Sequence, residues 1–137
     1  MIKGDLYQNI KSYADTLNNV FKDTDLVLGV MEILQKFILD ENNVDTSVLA
    51  GLDPTIEQFN QVIEGMLKMS VPESLSTLHL ELLNELQKML EDLNGIQLYE
   101  TDSIVALSAI SQYKTNVTSL QSTVQNLSDV ISAKLNY

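Results

Sequence analysis

The single histidine of the chain, His79, is the first residue whose side chain could do chemistry. An imidazole can bind a metal ion, transfer a proton or respond to pH near neutrality. A helical partner for such a site would stand four residues away, but Leu75 and Leu83 occupy both of those positions. Glu81 and Glu85 lie two and six residues along the chain, which places them on other faces. We therefore expect His79 to lie at the core edge, bonded to a backbone carbonyl or to a tyrosine hydroxyl.

Acidic residues are the other candidates for ligand chemistry. The run over residues 40–45, DENNVD, is rich in oxygen ligands. A calcium loop needs a further oxygen at its fifth position and then a glycine, whereas this run has Val44 and no glycine follows. We expect a solvated loop, with a weak cation site as the alternative. Glu81 and Glu85 are four residues apart on a leucine-rich stretch, and we expect them to form a solvated helix face.

Residues that build nucleophilic or phosphate-binding sites are missing from the sequence. The chain has no cysteine, which excludes disulfides, thiol catalysis and thiolate metal sites. It also has no Gly-Xaa-Ser-Xaa-Gly turn, no glycine-rich phosphate loop and no His-Glu-Xaa-Xaa-His pair. Tyr13 and Tyr113 lie on apolar stripes and could line a cavity, but tyrosines of helical bundles usually pack in the core. The sequence therefore predicts a protein that is not an enzyme and holds no cofactor or metal.

The charge of the chain restricts its partners. It carries 19 acidic and 8 basic residues, a net charge of −11, and all the basic residues are lysine. Nucleic acids and anionic lipids would be repelled by such a chain, which also lacks the guanidinium groups that recognise phosphate. No stretch of 18 apolar residues occurs, so we predict no transmembrane segment, and residues 1–20 lack the apolar core of a signal peptide.

The elements that must position these residues are helices, because apolar residues recur every three or four positions along most of the chain. The spacing predicts helices over about 5–22, 26–40, 73–99 and 102–136, with a short turn over 46–52. It also predicts a third helix from Pro54 whose apolar residues extend to Leu67, before a break at Val71-Pro72. Asp53 is expected to cap the third helix and Asp102 or Ser103 the last, and Gly95 marks a potential early end of the fourth. The 137 residues fit one domain, an all-α, elongated four- to five-helix bundle with two long C-terminal helices.

The last helix has the most regular apolar pattern. Its apolar residues alternate by four and three positions, which is the spacing of a coiled-coil seam. Five of them form the predicted interaction seam: Tyr113, Val117, Leu120, Val124 and Leu127. Either another chain completes this seam, as a homo-oligomer or a partner helix, or the shorter helices of the same chain cover it. The sequence leaves these two alternatives open.

From about Phe59 to the end, residues 59–137, the chain resembles an uncharacterised family of small helical proteins from candidate-phyla (Patescibacteria) bacteria. The resemblance is carried by short motifs, namely Val71-Pro72-Glu73-Ser74-Leu75, His79-Leu80, Leu83-Asn84, Ala106-Leu107 and Gln112-Tyr113. It implies a helical bundle that is exported or tethered to the cell envelope behind a leader, a pattern from which this chain departs. It also implies that His79 and Asn84 share a structural network, to which Tyr113 is a candidate contributor.

Together these observations favour a non-enzymatic structural or protein-interaction bundle, and the resemblance implies that it is associated with the cell envelope or exported. The alternative is a helical bundle that binds a small ligand or a metal through the core-facing His79. A pocket above about 300 Å³ that touches His79 would favour the alternative.

Overall fold

The computed structural model describes residues 7–21 and 46–135, together with Val30 and Leu34. Every regular element in these ranges is helical. They are α1 (Tyr7–Phe21), a 3₁₀ turn (Thr46–Gly51), α2 (Leu52–Lys68), a 3₁₀ turn (Glu73–Leu75), α3 (Ser76–Ile96) and α4 (Ser103–Leu135). The predicted all-α bundle with two long C-terminal helices is confirmed. The predicted helix over 26–40 and the acidic run over 40–45 lie outside the described residues, except that Val30 and Leu34 are both buried.

The two long helices, α3 and α4, form an antiparallel hairpin with the most extensive contact between any two described elements. Leucines recur at heptad spacing along the inner face of α3 and the 3₁₀ turn before it, and they are fully buried: Leu75 in the turn, and Leu82, Leu86 and Leu93 in α3, with Met89 between the last two. At 1.5 Å per residue, the 33 residues of α4 extend about 50 Å. The hairpin is therefore the long axis of the bundle.

The shorter helices α1 and α2 pack against this hairpin and against each other. Gly65 of α2 makes the close approach of α1 feasible, since a Cβ built at this position would lie 3.2 Å from Cγ2 of Val20. Ile10 and Tyr13 are the buried residues of α1, and Phe59, Val62 and Met66 belong to the buried face of α2. This arrangement brings the C-terminal end of α2, the start of α3 and the middle of α1 together.

Of the two helix starts for which caps were predicted, one has the predicted cap and the other does not. The side chain of Asp102 accepts a hydrogen bond from the Val105 amide at 3.1 Å, as expected of a cap for α4. The predicted cap at Asp53 is wrong, because α2 already begins at Leu52 and Asp53 lies inside its first turn. Asp53 instead accepts a bond of 2.7 Å from the side chain of Gln97, which follows the last residue of α3. This contact ties the turn of the hairpin to the start of α2.

Candidate functional site

His79 joins three helices through what we call the histidine bridge, made of Tyr13, His79 and the carbonyl of Met66. Nδ1 of His79 lies 2.8 Å from the Tyr13 hydroxyl, and Nε2 lies 3.0 Å from the Met66 carbonyl oxygen. The rings of Tyr13 and His79 meet edge to face, with centroids 5.6 Å apart. Tyr13 comes from α1, Met66 from the last turn of α2 and His79 from the first turn of α3, so the bridge fastens one end of the bundle.

The partners of the bridge fix the tautomer of the neutral imidazole. A carbonyl can only accept, so Nε2 carries the hydrogen that it donates to Met66. In the neutral ring Nδ1 is then the acceptor, and the Tyr13 hydroxyl donates to it. Burial lowers the pKa of His79 from its usual value of 6.5, and the bond to Met66 offsets part of this effect. Burial also raises the pKa of Tyr13 to about 12. Both groups are therefore neutral at physiological pH.

The histidine bridge does not offer a reactive group. Both imidazole nitrogens are already bonded within the protein, so neither is available to a metal ion or to a substrate proton without breaking the bridge. Within residues 7–21 and 46–135 no group of three or more His, Asp or Glu side chains could hold a metal ion. The geometry is that of a structural contact between helices.

The predicted polar network of His79, Asn84 and Tyr113 is not assembled by the structure as one cluster. Asn84 is exposed on α3, because five helical residues turn the chain through 500° and leave it about 140° from His79. Tyr113 is fully buried on α4, where burial, followed by the nearby Asp92 carboxylate, raises its pKa. The tyrosine that bonds His79 is Tyr13, which the sequence had placed on an apolar stripe without identifying its partner.

The predicted interaction seam on α4 divides into two halves. Tyr113, Leu120 and Leu127, which are spaced by seven residues, are buried within the chain. The alternate positions are less covered, since Val117 is half-buried and the Val124 side chain is 45% exposed. The chain itself therefore closes one row of the seam, while Val124 still faces outward.

Val124 lies at an opening between α1 and α4 that we call the apolar groove, with a volume of about 440 Å³. Its floor is Leu82 of α3. Its walls are one stripe from each of the two helices: Ala14, Leu17, Asn18 and Phe21 on α1, and Val124, Leu127, Ser128, Ile131 and Ser132 on α4. Among the described residues that line the groove none is charged, although the protein carries a net charge of −11. His79 is not among the lining residues.

A second set of polar contacts, the polar ladder, crosses the hairpin between α3 and α4. Asn116 donates a hydrogen bond of 2.6 Å to Asp92, and Thr123 donates one of 2.9 Å to Glu85. The two acids are seven residues apart on α3, and their partners are seven apart on α4 in the reverse order. The two contacts are therefore equivalent positions of one antiparallel helix pair, separated by one heptad.

The carboxyl groups of the ladder are held in a poorly solvated environment. Asp92 is only 5% exposed, and Oε2 of Glu85 is buried without a hydrogen-bond partner. Burial raises the pKa of both, while the hydrogen bonds from Asn116 and Thr123 partly oppose the effect. The expected solvated face at Glu81 and Glu85 is thus half wrong, because Glu81 is exposed but Glu85 turns toward α4. The matching seven-residue spacings on the two helices are the signal that could have revealed the ladder.

Comparison of the sequence with protein-family models, with curated proteins and with solved structures found no match. Among the residues that the structure describes, no helix combines the length and the apolar character needed to cross a bilayer.

Proposed function

We propose that this chain is a non-enzymatic protein-interaction bundle, associated with the cell envelope or exported, whose apolar groove receives an amphipathic helix of another protein. The observation that carries the proposal is the pair of apolar stripes that face each other across the groove. Each stripe follows helical spacing, with Leu17 and Phe21 four residues apart on α1, and Val124, Leu127 and Ile131 separated by three and four on α4. The envelope location rests on the family resemblance.

The shape and lining of the groove favour a helix as the occupant. Grooves between two helices accept the apolar face of a third, whose anchoring side chains repeat every three or four residues. Asn18, Ser128 and Ser132 add polar groups to the lining without adding charge. The buried Leu82 at the floor would contact the deepest side chain of the incoming helix.

Charge selects among the amphipathic helices that would fit. With a net charge of −11, the protein attracts a cationic partner and repels a second copy of itself. We therefore expect a helix with an apolar face and lysine or arginine on its remaining faces. Homo-oligomerisation through the same groove is the competing outcome, and light scattering distinguishes it by a mass above 15.3 kDa.

The alternative function, a small ligand or metal held by His79, has less support. Both ring nitrogens of His79 are engaged in the histidine bridge, and the described residues that line the apolar groove do not include His79.

The test measures binding of a fluorescently labelled model peptide by anisotropy. The peptide carries leucine at positions i, i+3, i+4 and i+7 and lysine elsewhere, and a scrambled peptide of the same composition shows what charge alone contributes. Val124→Asp places a carboxylate on the wall of the groove and should weaken binding about tenfold or more, roughly 1.4 kcal/mol. Val105→Asp is the matched control, because Val105 is 43% exposed on the same helix but lies outside the groove lining.

Three results would contradict the proposal. The peptide could bind no better than its scrambled form, the two aspartate variants could lose affinity equally, or the wild-type chain could form a stable dimer that Val124→Asp dissociates. The last result would assign the groove to a second copy of the chain.

A further inference from the structure

The polar ladder lies in the middle of the α3–α4 contact and has no part in the apolar groove. We propose that the ladder is an acid-sensitive clasp, in which proton uptake by Glu85 and Asp92 strengthens the hold of α3 on α4. The inference does not depend on the proposed docking function, because it concerns the contact between two helices of the same chain.

The partners of the two acids in the ladder are neutral groups. A site built to hold carboxylate anions would present lysine or arginine, but α4 presents an amide and a hydroxyl, Asn116 and Thr123. Both groups can accept as well as donate hydrogen bonds. A protonated Asp92 can therefore form two bonds with the amide of Asn116, one in each direction, where the ionised form receives only one from it. A protonated Glu85 can likewise donate to the Thr123 hydroxyl.

One carboxylate oxygen of the ladder is buried without a hydrogen-bond partner. Oε2 of Glu85 is buried and receives no hydrogen bond, so the ionised carboxylate holds part of its charge where neither water nor a donor stabilises it. Taking up a proton removes that cost. Asp92 borders a polar recess that Lys88, Ser111, Gln112 and Thr115 also line, which gives protons from solvent a route to the ladder.

The neighbouring charged groups do not reverse this preference. Around Glu85, α3 contributes Glu81, which opposes ionisation, and Lys88, which favours it. Around Asp92, Glu91 of α3 opposes ionisation, Lys88 of α3 lines the same recess, and α4 contributes the buried hydroxyl of Tyr113. The hydrogen bonds that α4 donates to the two acids in the described part of the chain come from the neutral side chains of Asn116 and Thr123.

The direction of the effect follows from proton linkage. Burial raises the pKa of Glu85 above its usual 4.5 and that of Asp92 above its usual 3.8, so over this window the folded chain binds more protons than the unfolded chain. Their contribution to stability is complete below the usual pKa values and is lost as pH rises through the raised ones. His79 acts in the opposite direction, since its pKa is lowered. A pH profile of the wild-type protein alone would therefore mix the two effects.

The experiment isolates the ladder with a double variant, Glu85→Gln with Asp92→Asn, which mimics the protonated side chains. Its matched control is Glu57→Gln with Glu64→Gln, which removes the same charge from exposed positions on α2. Urea unfolding is measured by circular dichroism near pH 5 and near pH 7.5. At each pH the folding equilibrium constant of a variant is divided by that of the wild type. We expect this ratio to be at least about threefold larger near pH 7.5 than near pH 5 for the ladder variant, and to change less for the control. His79 is present in all three proteins, so its contribution cancels.

A second measurement does not depend on any variant folding. Carboxyl ¹³C shifts of the wild-type protein, followed by NMR through a pH titration, should give midpoints above 4.5 for Glu85 and above 3.8 for Asp92. The clasp would be refuted if the two midpoints lay at or below those values. It would also be refuted if the control double variant reproduced the full pH trend, because general charge repulsion would then account for it.

Discussion

Replacing Tyr13 by phenylalanine removes one oxygen atom and tests the histidine bridge directly. The Tyr13 side chain is only 2% exposed and His79 only 7%, so water cannot replace the lost hydroxyl at Nδ1. Leaving a buried acceptor without its donor costs about 1–3 kcal/mol. The two rings keep their edge-to-face contact in Tyr13→Phe, so no cavity term adds to this loss. We expect the free energy of unfolding to fall by about 1–3 kcal/mol.

The assay is urea unfolding followed by helical circular dichroism, with Tyr7→Phe as the matched control. Tyr7 is 55% exposed on the same helix, and its substitution should change stability by no more than about 0.5 kcal/mol. Tyr13→Phe is then repeated in a His79→Leu background, where Nδ1 no longer exists. The cost of the tyrosine substitution should drop there by about 1 kcal/mol or more, which is the coupling energy of the pair. Equal costs in the two backgrounds would show that the bond between Tyr13 and His79 does not hold the helices together.

Two further predictions concern His79 and Gly95. Because the pKa of His79 is lowered, its contribution to stability should be lost as pH falls below 6.5. The free energy of unfolding, measured at several pH values, should therefore decrease less on acidification for His79→Gln than for the wild type. A side chain at Gly95 meets Ala109, whose Cβ lies 3.0 Å from a Cβ built at the glycine, so Gly95→Val should destabilise the hairpin by about 1–3 kcal/mol. Adding Ala109→Gly should recover part of that loss in thermal unfolding, and no recovery would place the clash elsewhere.

The secondary structure could be predicted because it depends on signals that are local in the chain. The three- and four-residue spacing of apolar residues located α1, α2, α3 and α4, and Asp102 was one of the two residues, with Ser103, expected to cap α4. Asp53 shows where local reasoning fails. An aspartate before a proline suits a helix start, but the side chain of Gln97, 44 residues away, takes its carboxylate instead.

The polar contacts between helices were not predictable, because one sequence does not give the register of one helix against another. His79 was expected to bond a carbonyl or a tyrosine hydroxyl, and it bonds one of each, yet nothing in the sequence distinguishes Tyr13 from Tyr113 as the partner. The sequence did not indicate that Asp92 is buried, since an aspartate on a leucine-rich helix is normally solvated. Only the position of Asn116 across the hairpin explains how it is buried.

The separation of Tyr13 and His79 along the chain has a consequence for the order in which the molecule assembles. The two residues are 66 positions apart, whereas α3 and α4 are joined by a turn of only six residues, 97–102. Contacts between chain neighbours form faster because less chain entropy is lost in closing them. The ribosome nevertheless makes α1 before α3, so α1 leaves it without the His79 side chain that will hold it. Helix α1 is thus synthesised earlier than its partner, and we expect it to be among the last of the described helices to dock.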